Sequence, residues 1–287
     1  MKRLSLTLMI TLVLVLLPFG NSQSQTTQPT ERPTLKPFLT LPFLKGTQFR
    51  VTEGYVYSAE ETAVHGITNH AANDFAALKN GQWAPGTPVV AAHDGWAIAF
   101  FHTNPLDRNV KVPDGRTCKV VGMGLGNGVQ VWEPNQDVST GYGHLQAVAA
   151  GIPVLDASKR VEHNLTFWDP LPLYVQPSLL LESAPKPVWV KRGQIIGYLG
   201  NSGLSCDYDE FPGVKRDEQA QRSWDEPHVH FDVFRRDANG SKGRGIRWDP
   251  FDKYAQAPAY ADLKQGPRGL WLLNKKGLPA YPGEQQK

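Results

Sequence analysis

The chain predicts a mainly β fold, a compact antiparallel sheet carrying long loop insertions. Short runs in which apolar and polar residues alternate recur along most of its length, as in the stretch Pro227 to Val233, and this is the period of a strand with one buried face. Glycine and proline breaks separate those runs, with 27 Gly and 23 Pro among 287 residues supplying many turns. Few stretches carry the 3.6-residue period of a long amphipathic helix. Asp217 to Arg222 offers one short turn or helix at most.

The elements follow in order. Met1, Lys2 and Arg3 precede an apolar run from Leu4 to Phe19 and a polar exit beginning at Asn21. Residues 1–22 therefore read as a secretory signal peptide. An uncleaved membrane anchor is the competing reading, although the run is short for a span. No cysteine follows the run to accept a lipid, and no second stretch is long and apolar enough to cross a membrane. The expected mature protein is soluble and exported: periplasmic, associated with the cell wall, or extracellular. Residues 23–38 form a polar, proline-containing tether, 39–255 the folded domain and 256–287 a C-terminal extension.

Within the domain, strands are expected at Phe49 to Val56, Asn73 to Ala77 and Thr87 to Ala92. The last leads into a turn at His93–Gly95, after which Trp96 to Phe101 resumes. Gly128 to Trp132 and Gly141 to Leu145 suggest a hairpin, Gln194 to Leu199 ends at the breaker Gly200–Gly203, and His228 to Phe234 closes the core. Stretches at about 103–120, 152–190 and 204–226 break this rhythm and read as loop insertions, either lining a binding groove or simply solvated.

The formal charge of +3 is slight and the basic residues are scattered. This argues against nucleic acid and is compatible with an anionic wall polymer. Cys118 and Cys206 are the two cysteines. In an oxidising compartment they are expected to form one disulfide, with two buried free thiols as the alternative. Each lacks a second cysteine at ligand spacing, so a zinc–thiolate site is the weaker idea.

The chemistry concentrates in histidine, of which the chain has eight. His228 and His230 stand two apart on a strand, so both rings project from one face. They are either exposed strand residues or the start of a metal site. Upstream, His70 and Asp74 stand four apart, with Asp74 heading the apolar segment Phe75–Ala77. An unpaired carboxylate there would be costly, and a metal removes that cost. Two histidines, one aspartate and a water make a four-coordinate catalytic zinc shell.

These elements have an order. His70-x-x-x-Asp74 is followed by Gly86–Val89 (Gly-Thr-Pro-Val) and the Asp94–Gly95 turn. Tyr142-x-His144-Leu145, Gly193-x-x-Ile196-Gly197 and His228-x-His230-Phe231 then complete the series. In this order the chain resembles the lysostaphin-like (LytM-type) zinc metallopeptidases over most of residues 45–255. The resemblance implies a compact antiparallel sheet with a groove formed by loops. It also implies one Zn2+ per chain held by His70, Asp74 and His230, with His144 and His228 as the two catalytic histidines that do not bind metal. The activity implied is hydrolysis of peptide bonds in bacterial peptidoglycan, in the interpeptide bridge or in the stem and its direct cross-links. His65, nine residues before Asp74, is the alternative ligand to His70. Asp232 is expected to orient a ring from the second shell, where the family commonly has glutamate.

Other residues carry less. His93, His102 and His163 are expected to be ordinary surface or loop residues. Asn201–Gly203 either borders the cleft or is a plain turn, and the glycine-rich Gly122–Gly128 is read as a hairpin turn because it lacks a nucleotide site's strand-then-helix setting. Trp132 and Tyr142 belong to the groove or the core, and Trp248–Phe251 is structural. No nucleophile elbow appears, so a serine or cysteine hydrolase fits poorly. A zinc esterase or amidase shares the same shell. A different class, the wall-binding regulator that activates a separate amidase, is expected of relatives that have lost zinc ligands, and here all are present. No familiar wall-binding repeat follows, so targeting falls to the groove, the insertions or a partner protein.

Overall fold

The computed structural model describes residues 34–59, 62, 68–111, 117–155, 185–202, 204–207, 227–235 and 246–285, with side chains omitted at 101–111, 117–124 and 204–207. The leader, most of the tether, His65, His163, Asp217–Arg222 and most of the second and third insertions lie outside the described residues. Thr34–Lys287 forms one compact unit.

Among the described residues twelve strands form one sheet. They are β1 (Gln48–Glu53), β2 (Asn73–Lys79), β3 (Gln82–Trp83), β4 (Pro88–Val90), β5 (Gly95–Lys111), β6 (Thr117–Glu133), β7 (Val138–Val148), β8 (Val188–Val190), β9 (Ile195–Leu199), β10 (Leu204–Asp207), β11 (Val229–Arg235) and β12 (Ile246–Trp248). The main path runs β1-β2-β11-β7-β6-β5-β8, and β9 joins β7 to β4. Every pairing between these strands is antiparallel. The mainly β expectation therefore holds, and all eight of its predicted strands fall on observed ones.

Strand alternation sorts the residues by face. Phe75, Ala77, Val129, Val131, Tyr142, Phe231 and Val233 point into the hydrophobic core. The C-terminal stretch, expected as an extension, completes that core. Trp271 is fully buried, stacks on Phe231 at 5.7 Å and meets Phe75 edge-on at 6.2 Å. The described end of the tether also packs, with Phe38 buried and bonded through its backbone to Leu270.

Three expectations about loops change. Residues 103–111 and 117–120 continue β5 and β6 as one long hairpin instead of a loop, and Pro105 is accommodated beside register shifts at His102/Asn104 and Pro105/Arg108. A bulge is where a residue without an N–H can sit in a strand. The glycine-rich Gly122–Gly128 is likewise strand interior and not a turn. Cys118 and Cys206, expected in separate loops, lie on paired strands, Cys206 opposite Val120.

Candidate metal centre

Register builds the site. Asp74 on β2 pairs with His230 on the neighbouring β11, and His230 pairs on its other side with Gly143 of β7. Asp74, His230 and Gly143 thus fall in a row across three adjacent strands, and His144 follows Gly143 with a left-handed backbone that breaks the strand alternation. His228 immediately precedes β11, its N–H bonded to the Gly200 carbonyl. His70 enters from the loop before β2.

Three atoms converge. His70 Nε2 lies 3.0 Å from His230 Nδ1 and 3.4 Å from Asp74 Oδ1, and His230 Nδ1 lies 3.2 Å from the same oxygen. A tetrahedral ion with bonds of about 2.0–2.1 Å spaces its ligands about 3.3–3.4 Å apart. The triangle matches one face of that tetrahedron, and the three residues form a group able to hold a metal ion. Asp74 Oδ1 is buried without a hydrogen-bond donor, a state that costs free energy unless a cation meets it. The donor set of two imidazoles and one carboxylate suits zinc.

Two of the three candidate ligands are held from behind. His70 Nδ1 donates to the Gly54 carbonyl at 2.9 Å, which leaves the lone pair of the neutral ring on Nε2. Tyr57 stacks on the same ring at 4.6 Å. The second oxygen of Asp74, Oδ2, lies 3.4 Å from His228 Nε2. Burial pushes the His70 pKa down to about 4 against the opposing charge of Asp74. For Asp74 burial acts upward, but the charges of His70 and His228 win and hold its carboxyl well below the usual range. A neutral His70 ring and an ionised Asp74 carboxylate are protonation states that metal binding requires.

His144 stands beside this triangle, its ring 4.7 Å from that of His228 and 5.9 Å from that of His230. Its backbone is left-handed, with φ of +59°, a conformation a non-glycine residue adopts only when its surroundings impose it. Those surroundings are a turn. Ser202 accepts His144 Nδ1–H through its carbonyl at 2.8 Å, while its hydroxyl accepts from Asn127 N–H at 2.9 Å and donates to the Leu145 carbonyl at 2.6 Å. Gly126, with φ of +59°, lets that turn approach; a Cβ there would overlap the Ser202 carbonyl. Burial, followed by the charges of His228 and His230, holds the His144 pKa well below its ordinary value.

Some expectations move. Asp232 lies on the site face, but its carboxylate pairs with Arg247 of β12 at 2.5 Å instead of orienting a ring. The absent Cβ of Gly141 makes room for it. His93 is not a surface residue: it is buried between Phe38, at 5.3 Å, and Thr140 Oγ1, at 2.9 Å. Tyr142 belongs to the core, its hydroxyl accepting from Ala92 N–H at 2.8 Å. Sequence reasoning missed Ser202 as the holder of His144 and Gly54 as the holder of His70. Both act through backbone carbonyls, which leave no residue-type signal.

No family model matches the chain, and no curated protein matches it. Among solved structures it is similar to Helicobacter pylori Csd3, at 18% identity and a TM-score of 0.34, over 77% of this chain and 36% of that one. The catalytic domain of the antimicrobial peptidase lysostaphin from Staphylococcus simulans gives 18% and 0.33, over 71% of this chain and 92% of that one. The SpoIIQ–SpoIIIAH pore-forming complex gives 16% and 0.35, over 74% and 89%. The chain thus spans about a third of Csd3 and most of the lysostaphin catalytic domain. Among the described residues no helix is long and apolar enough to cross a membrane.

Proposed function

We propose that this chain is a zinc-dependent endopeptidase of the lysostaphin (LytM) type that hydrolyses peptide cross-links or stem peptides of bacterial peptidoglycan. The observation that carries this reading is the triangle of His70 Nε2, Asp74 Oδ1 and His230 Nδ1, with edges of 3.0–3.4 Å, beside two further histidines. His70, Asp74 and His230 hold one zinc ion. When bound, it lowers the pKa of water and polarises a carbonyl.

The remaining steps belong to the chain. His144 keeps its proton on Nδ1 against Ser202, so Nε2 carries the lone pair that takes a proton from the attacking water and passes it to the leaving nitrogen. His228, whose Nε2 lies 3.4 Å from Asp74 Oδ2, donates its Nε2–H to the scissile carbonyl oxygen as negative charge develops. Placement across three paired strands fixes these groups before substrate arrives, and such preorganisation is what makes their interactions effective.

The leader places the enzyme outside the cytoplasm, at or near the wall, and Cys118 and Cys206 on paired strands are read as its one disulfide. Targeting is assigned to the substrate groove or a partner protein. The test is incubation with purified peptidoglycans of several cross-link types, with and without a zinc chelator, followed by mass spectrometry of the fragments. Chelator-sensitive cleavage is expected, and the fragments name the bond. Zinc binding without cleavage across the panel would leave the amidase-regulator reading in its place.

A further inference from the structure

His70 is oriented by one peptide group, and that group is itself held from the C-terminal side of the domain. The Gly54–Tyr55 peptide presents two polar atoms. Its carbonyl accepts His70 Nδ1–H at 2.9 Å, and its N–H donates to Tyr260 Oη at 3.3 Å. The same phenolic oxygen accepts Ala255 N–H at 3.3 Å and donates to Asp249 Oδ2 at 2.6 Å. One donated and two accepted bonds use the full capacity of a hydroxyl.

Asp249 is buried and firmly anchored. Its Oδ1 accepts from Phe251 N–H at 3.0 Å, and its Oδ2 also accepts from Lys253 and Tyr254 N–H at 2.9 and 2.6 Å. The Tyr260 ring, buried itself, packs edge-on against Phe251 at 5.2 Å. Close approach is built in, because a Cβ on Gly54 would come within 2.7 Å of both the Gln256 carbonyl carbon and the Tyr260 ring. Only glycine lets the 54–55 peptide lie against this stretch.

We propose that Tyr260, anchored by Asp249, is a positioning residue for the metal centre: it fixes the Gly54–Tyr55 peptide so that the Gly54 carbonyl holds the His70 ring with Nε2 turned to the metal. Groups that orient a metal-binding imidazole from behind change metal affinity by about 10–100-fold when removed. Here the orienting atom is a backbone carbonyl that mutation cannot delete, and Tyr260 is the side chain through which it can be reached. The proposal rests on the zinc reading above.

The test compares the full chain with Tyr260→Phe, which keeps the ring and removes the hydroxyl. Zinc affinity is measured by competition with a chromogenic chelator, and thermal unfolding of the metal-free proteins is measured alongside. Val131→Ala, a core truncation on β6 remote from this network, serves as the stability control. Tyr260→Phe is expected to weaken zinc binding about 10-fold and to alter the visible spectrum of the cobalt-substituted protein. Val131→Ala is expected to lower the unfolding temperature with affinity and spectrum unchanged. If Tyr260→Phe binds zinc like the unaltered chain, or weakens only in step with the stability control, the positioning role is overturned while the zinc site stands. If the unaltered chain does not bind zinc, both fall together.

Discussion

At the scale of single residues, the proposed centre separates atoms that would hold a metal from atoms that would move a proton, and the two groups are expected to fail differently when altered. Asp74 supplies Oδ1 to the triangle and Oδ2 to His228, so it touches both groups. His230 supplies Nδ1 to the triangle. Alanine at Asp74 or at His230 is expected to abolish metal binding and turnover together, with zinc affinity falling by more than about 100-fold, beyond the range seen for outer-shell changes. His144 contributes no atom to the triangle. Its alanine variant is expected to keep close to one zinc per chain while turnover falls by about 10²–10⁴-fold, the range of a general acid–base contribution. Elemental analysis and a peptidoglycan release assay on the same preparations check both. Retained turnover in His144→Ala would remove it from the mechanism, and full zinc occupancy in Asp74→Ala would remove Asp74 from the ligand set.

At the scale of elements, the register of β2, β11 and β7 decides which side chains can meet, and turns decide how they are aimed. Much of the first was legible in the sequence. The spacing of His228 and His230 places both on one strand face, and the apolar segment Phe75–Ala77 that Asp74 heads marks its strand. The pairing of these strands was not legible from periodicity, since register is a contact between residues far apart in the chain, here 156 positions between Asp74 and His230. Ordered motifs supplied it only through resemblance. Aim was less legible still. His144 owes its orientation to a serine carbonyl 58 residues away and to a glycine whose function is the absence of a side chain. A glycine-rich run signals turns as readily as it signals close approach, so Gly126 read as part of a hairpin turn. Its importance is testable. Gly126→Ala places a Cβ against the Ser202 carbonyl and a β-carbon at φ of +59°, at a backbone cost of roughly 1–2 kcal/mol. The Ser202 turn must move, and His144 with it. Turnover is expected to fall on the order of 10²-fold with zinc stoichiometry unchanged. Unchanged turnover would mean that the turn does not aim His144.

At the scale of the whole molecule, residues outside the motifs join the sheet to its two ends, and His93 shows how. The turn before β5, with His93 in it, read as ordinary surface or loop. Instead the N-terminal segment covers it: Thr40 N–H bonds to the Ala92 carbonyl, and Arg192 ties Asp94 through its N–H at 2.6 Å and the Phe38 carbonyl through Nη2 at 2.9 Å. Beneath this cover His93 donates through Nδ1 to the Asp94 carbonyl at 2.8 Å and meets Thr140 through Nε2. Burial is the largest influence and pushes its pKa down from 6.5 to about 4; the Asp94 carbonyl and the Glu133 and Asp94 charges oppose this, and the Arg192 charge adds to it. The sign of the consequence follows from proton counting. Between about pH 6.5 and pH 4 the unfolded chain carries a proton on this ring and the folded chain does not, so falling pH favours unfolding. His93 therefore contributes stability in full above about pH 6.5, and that contribution is lost as pH falls toward 4. The loss approaches about 3 kcal/mol if the whole shift is expressed. His70 and His144 also have lowered pKa values, so the wild-type curve alone would not isolate His93. His93→Gln keeps a donor and an acceptor at the position but cannot titrate. Urea unfolding of both proteins at half-unit steps from pH 7.5 to 4 is expected to give a steeper acid decline in wild type, the difference growing below pH 6.5. Parallel curves would show that this ring does not set the acid limit of the fold.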